Sequence, residues 1–151
     1  MPKILLDETF VSEAVARMAG LAPDAKPLWG SMVAEQMFAH LTTAFRYSLG
    51  KEALTPDEGG FFGHVVAARM ILNRIMKIPK NKRAPKMYNS QAPRGDTDTL
   101  KTEAMAFLAG QADGTLKCPP HPYFGEFGVA GWSLLHRIHM EHHMRQFGLI
   151  D

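Results

Sequence analysis

Apolar residues recur at helical spacing in five stretches of this chain, the stretches are separated by proline and glycine, and none shows the two-residue alternation of a half-buried strand. That pattern confines the fold to helix packed on helix. The first stretch runs from about Thr9 to Ala19, with Phe10, Ala14, Ala16 and Met18 apolar, before Pro23 and Pro27 impose an extended connection. The second takes Ser31 as its N-cap, carries Glu35 in its first turn and continues to Leu49, where Gly50 suits the left-handed position beyond a helix. A third covers roughly Phe62 to Met76, its apolar residues Val65, Val66, Met70, Leu72, Ile75 and Met76 too spread to define one narrow face. The fourth begins after Asp96 or Thr97 and runs to about Leu108, with Leu100, Ala104, Phe107 and Leu108 on one stripe and Gly110 as its stop. The last runs from about Val129 to Phe147 and ends at Gly148. A chain of 151 residues can bury about 68–70% of its unfolded surface. The expectation is an all-α fold of one domain, residues 1–151: an antiparallel four-helix bundle with an additional helical segment and a long basic loop.

That loop, Lys77 to Gly95, contains three prolines and the basic residues Lys77, Lys80, Lys82, Arg83, Lys86 and Arg94 with no acid among them. Loops of this length in small domains tend to be functional or mobile, and Lys82, Arg83 and Lys86 are the candidates for holding an anionic substrate or thiol cofactor. The chain as a whole is nearly balanced, 17 basic against 15 acidic residues. A charge of +2 gives no nucleic-acid footprint, and Tyr88 alone interleaves the basic run, so no nucleic-acid partner is expected. Ile4-Leu5-Leu6 is far short of the ~7–15 apolar residues of a signal-peptide core, and no run approaches the ~18 of a membrane span. A cytoplasmic protein without a membrane partner is the expectation. One cysteine, Cys118, excludes an internal disulfide and any multi-cysteine zinc site.

Chemistry concentrates in histidine. Of seven histidines, four (His136, His139, His142 and His143) fall within eight residues of the last helix. His139 and His143 stand one turn apart, ~6 Å of rise, and project to the same side, so both rings can reach one metal at ~2.0–2.1 Å. His136 and His143 are ~10.5 Å apart along the axis, which leaves His136 as an alternative or outer partner. His142 is rotated ~100° from His143 and faces elsewhere. A metal site normally needs at least three protein ligands. His40 supplies the third, because Val33, Gln36, Met37, His40, Thr43, Ala44 and Tyr47 share one face of the second helix. Gln36, Thr43 and Tyr47 are candidates for fixing the ring tautomers. Imidazole suits zinc, copper, iron or nickel. A thermolysin-type His-Glu-x-x-His is absent, since Glu141 lies two residues beyond His139. His121, among prolines, reads as a loop anchor, and His64 starts the third helix with no partner in view.

Three runs together, Gln36-Met37-Phe38-Ala39-His40, His121-Pro122-Tyr123-Phe124-Gly125, and Trp132 through His139-Met140-Glu141-His142-His143-Met144-Arg145-Gln146-Phe147-Gly148, resemble the DinB-like, YfiT-type superfamily of metalloenzymes. The opening Trp29-Gly30-Ser31-Met32 is similar to an uncharacterised small branch of it. The resemblance implies a four-helix bundle whose divalent metal, zinc or nickel foremost, is held by one histidine of the second helix and a pair from the last, matching His40, His139 and His143. It also implies a thiol-dependent transferase or isomerase acting on a small-molecule substrate with a low-molecular-weight thiol, and a homodimer. The alternative is a noncatalytic metal-stabilised bundle or a stress-linked binding module.

Overall fold

A computed structural model describes residues 4–52, 68–74, 93–126 and 128–151. Among the described residues there are five helices: α1 (Glu8–Ala19), α2 (Ala34–Ser48), α3 (Ala68–Leu72), α4 (Thr97–Asp113) and α5 (Gly128–Gln146). Among the described residues there is no strand, only an isolated bridge between His121 and Gly125. The fold is all-α, as the periodicity predicts. His64, Lys82, Arg83, Lys86 and most of the third segment and the basic loop lie outside the described residues.

The four long helices form a ring in the order α1, α4, α2, α5, each packed on two neighbours, and α3 rests on α5. Cross-helix contacts fix the directions. Glu35 of α2 accepts from Gly95, just before α4, and Arg46 further along α2 pairs with Glu103 of α4, so α2 and α4 run parallel. Leu6 donates to Ser133, and Arg17 reaches Leu149, so α1 and α5 also run parallel. His40 meets His139 while Ser48 meets His136, which makes α2 and α5 antiparallel. Parallel neighbours α2 and α4 require the long crossover between them.

The ends of the helices follow local chemistry, with two departures from expectation. Asp7 caps α1 by accepting from the Phe10 N–H, and Asp96 caps α4 by accepting from Thr99. Helix α2 starts at Ala34, two residues later than a Ser31 cap requires, with Val33 as its N-cap residue. The carbonyls of Ala25 and Pro23 accept from Ala34 and Glu35, so a neighbouring piece of backbone does the work of a capping side chain. Helix α4 passes through Gly110 and stops at Asp113, with Gly114 left-handed at φ +74. Gly110 serves packing instead, because Leu116 folds back against it. Both α2 and α5 end in Schellman motifs at left-handed Gly50 and Gly148.

The core joins α1 through Val11, Ala14 and Met18, α2 through Met37, Leu41 and Phe45, α4 through Leu100, Ala104 and Phe107, and α5 through Trp132 and Met140. It holds α2 and α5 rigidly side by side, and the histidines lie on that seam.

Candidate metal centre

Position 40 of α2 and positions 139 and 143 of α5 face one another across the antiparallel seam. His40 Nε2 lies 2.9 Å from His139 Nε2, and His143 Nε2 lies 3.0 Å from the same atom. The ligand atoms of all three rings fall within 4.8 Å of one another. The rings meet edge to face, with centroids 4.7 to 4.9 Å apart. His40 and His143 are buried and His139 half-buried.

Gln146 Nε2 donates to the Trp29 carbonyl, so its Oε1 is the atom 2.6 Å from His143 Nδ1 and must be accepting. His143 therefore carries its proton on Nδ1 and offers a lone pair at Nε2. Burial first, and neighbouring imidazoles second, push His139 and His143 well below the ordinary histidine pKa, so both are neutral near pH 7. A neutral His139 has at Nε2 either one proton or one lone pair, and so can make only one of its two short contacts a linear hydrogen bond. A divalent cation among the three Nε2 atoms satisfies every lone pair at once. Around a tetrahedral ion with bonds of ~2.0–2.1 Å, ligand nitrogens stand roughly 3.3 Å apart. The two short separations need to open by only a few tenths of an ångström, the third pair lies within 4.8 Å, and the donor set suits such an ion.

Other sequence candidates lie elsewhere. Gln36 is spent at the start of α2, where its Oε1 accepts from Val33 N–H. Tyr47 donates to the Pro120 carbonyl and lies 5.7 Å from Trp132, tying α2 to the segment before α5. Thr43 is half-buried and makes no hydrogen bond to the triad among the described residues. His136, one turn down α5, stacks on Phe45 with centroids 4.0 Å apart and bonds Ser48 Oγ at 2.8 Å. Ser48 donates its own proton to the Phe45 carbonyl. Its hydroxyl must accept from His136, which rules out a serine nucleophile there. His142 lies at the edge, 5.8 Å from Trp29. His121 Nδ1 accepts from the N–H groups of Tyr123 and Phe124, the anchor that its place among prolines predicts.

The residue that sequence reasoning missed is Gln146. Its signal was present, a polar side chain on the inward arc one turn beyond His143, yet a glutamine in the last turn of a helix ordinarily faces water.

Fold and site together define a helical bundle with a three-histidine centre able to hold a metal ion. Within that class, residues 5–148 match the family described as protein of unknown function DUF1569, and the chain belongs to it. No curated protein and no solved structure matches it. No described helix is long and apolar enough to cross a membrane.

Proposed function

We propose that His40, His139 and His143 bind one divalent ion, zinc or nickel foremost, and that the protein is a metal-dependent enzyme of the DinB-like type. The observation that carries this reading is the convergence of three Nε2 atoms, one of them locked as a lone pair by Gln146. A bound ion would supply a Lewis acid that polarises a substrate or stabilises a thiolate. The chain's own residues hold the geometry: Gln146 orients His143, the α2–α5 seam sets His40 against His139, and half-buried His139 leaves the centre reachable from one side. The likeness of the His40 and His139–Gln146 motifs to the wider DinB-like superfamily supports reading this as a thiol-dependent transfer or isomerisation on a small molecule by a homodimer, and the short apolar run Ile4-Leu5-Leu6 supports a cytoplasmic location.

Elemental analysis of the purified protein should find about one equivalent of metal, and added zinc or nickel should raise the melting temperature of the stripped chain. Metal absent, together with no thermal shift, overturns the reading. A thiol-transfer screen on wild type and His143→Ala then separates an enzyme from a noncatalytic metal-stabilised bundle. The enzyme loses turnover with its fold intact, whereas in the bundle the same change costs only stability.

A further inference from the structure

A groove lies on the opposite side of α5. It runs between the parallel helices α1 and α5, is open to solvent and has a volume of about 450 Å³, within the ~300–1,000 Å³ of small-molecule pockets. Ile4, Phe10, Ala14, Met144 and Ile150 give it an apolar lining, and Ile4 keeps 51% of its surface exposed. Four guanidinium groups, on Arg17, Arg74, Arg137 and Arg145, stand in the same lining against two carboxylates, Glu13 and Glu141. Glu141 is already committed: it pairs with Arg74 through both oxygens, at 2.7 and 3.2 Å, and with Arg137 at 3.5 Å. Arg137 also meets Asp7 and covers the Phe10 ring. Arg17 and Arg145 are different. Arg17 donates through Nη1 to the Leu149 carbonyl and Arg145 through Nε to a main-chain oxygen of Asp151, and among the described residues no carboxylate side chain is paired with either. A guanidinium has five donors in a planar fork, so each of these two retains capacity for an anion. From Phe10 to Arg17 the groove spans seven residues of helix, ~10.5 Å.

We propose that the groove between α1 and α5 binds an elongated amphipathic carboxylate, its head group on Arg17 and Arg145 and its aliphatic chain along Phe10, Met144 and Ile4. The geometry is that of an open groove in which apolar side chains stand beside two guanidinium groups that keep donors to spare, and guanidinium matches a carboxylate in two-point contact.

The test is calorimetric titration with sodium octanoate. It should bind saturably at one equivalent, while octanol, with the same chain and no charge, binds at least tenfold more weakly. The Arg17→Met/Arg145→Met variant should lose at least tenfold in octanoate affinity. His139→Ala should bind octanoate as wild type does, which separates this site from carboxylate coordination at the metal centre. In methyl NMR of the wild-type protein, octanoate should shift the Met144 and Ile150 signals, a readout independent of how the arginine variant folds. No saturable binding, equal affinity for octanol, retained affinity in the arginine variant, loss in His139→Ala, or unmoved Met144 and Ile150 methyls would each overturn the proposal.

Discussion

His143 Nδ1 lies 2.6 Å from Gln146 Oε1, and the same amide donates to the Trp29 carbonyl at 3.0 Å. This two-bond chain links the segment before α2 to a ring of the triad and decides which nitrogen of that ring faces His139. The tautomer is a property of the folded chain, present before any ion arrives.

Gln146→Ala should therefore weaken metal binding about 10–100-fold, the usual cost of losing a ligand's hydrogen-bond partner. The fold should survive, since α5 ends on the Schellman bonds around Gly148 whatever the side chain at 146. Chelator competition with zinc on both proteins, alongside circular dichroism, measures it. Unchanged affinity would mean that His143 needs no help in choosing its tautomer.

Gly95 sits where the crossover meets α2. A Cβ there would stand 2.9 Å from the Ala39 nitrogen and 3.0 Å from its Cα, and backbone cannot yield as a side chain can. Gly95→Ala should displace α2 beside His40, costing about 1–3 kcal/mol of stability and weakening metal binding with it. Gly114→Ala is the control: it has open space but φ +74, so it should cost about 1 kcal/mol through strain and leave metal affinity alone. Denaturant unfolding and metal titration of both variants separate the two effects.

How far the chain could be read beforehand depends on which physical signal each feature leaves. The α2 and α5 stripes fixed which faces turn inward, and that alone placed His40, His139 and His143 on meeting surfaces. Periodicity carries no direction, so the parallel pairing of α2 with α4 was hidden, although the long connection from Leu49 to Asp96 is what a return crossover requires. Ser31 misled because the first N–H groups of α2 are met by the carbonyls of Pro23 and Ala25, distant partners that no local motif announces. Gln36 and Tyr47 were rightly inward or half-inward, but bond elsewhere, because a shared stripe several turns long does not bring every member to one point.

His136 predicts an acid sensitivity of its own. Burial, and secondarily His121, lower its pKa to about 3. In the unfolded chain the ring titrates near 6.5. Between those values the unfolded state takes a proton that the folded state refuses, so the stability is present above pH 6.5 and is lost as pH falls towards 3. From pH 7 to pH 5 this one residue removes ~2 kcal/mol. His136→Gln, which can still donate to Ser48, should start less stable at pH 7 for want of the Phe45 stack yet lose about that much less on acidification. Urea unfolding at both pH values measures the difference; equal losses in the two proteins would show that His136 is protonated in the native state.

Cys118 bears on where a thiol would come from. It is half-buried against the core, and desolvation raises its pKa to about 11 from an ordinary value of 9.0. At pH 8 that leaves roughly one thiol in a thousand ionised instead of about one in ten, so alkylation by iodoacetamide should run about a hundredfold slower in the native than in the unfolded chain. A thiol so poor in thiolate is no nucleophile at neutral pH, and a thiol-dependent reaction at the histidine centre would draw its sulfur from a small molecule. Cys118→Ser should then keep full turnover in a thiol-transfer assay with added thiol, and lose little stability. Rapid native alkylation, or turnover abolished by the substitution, would instead place the reactive sulfur on the protein itself.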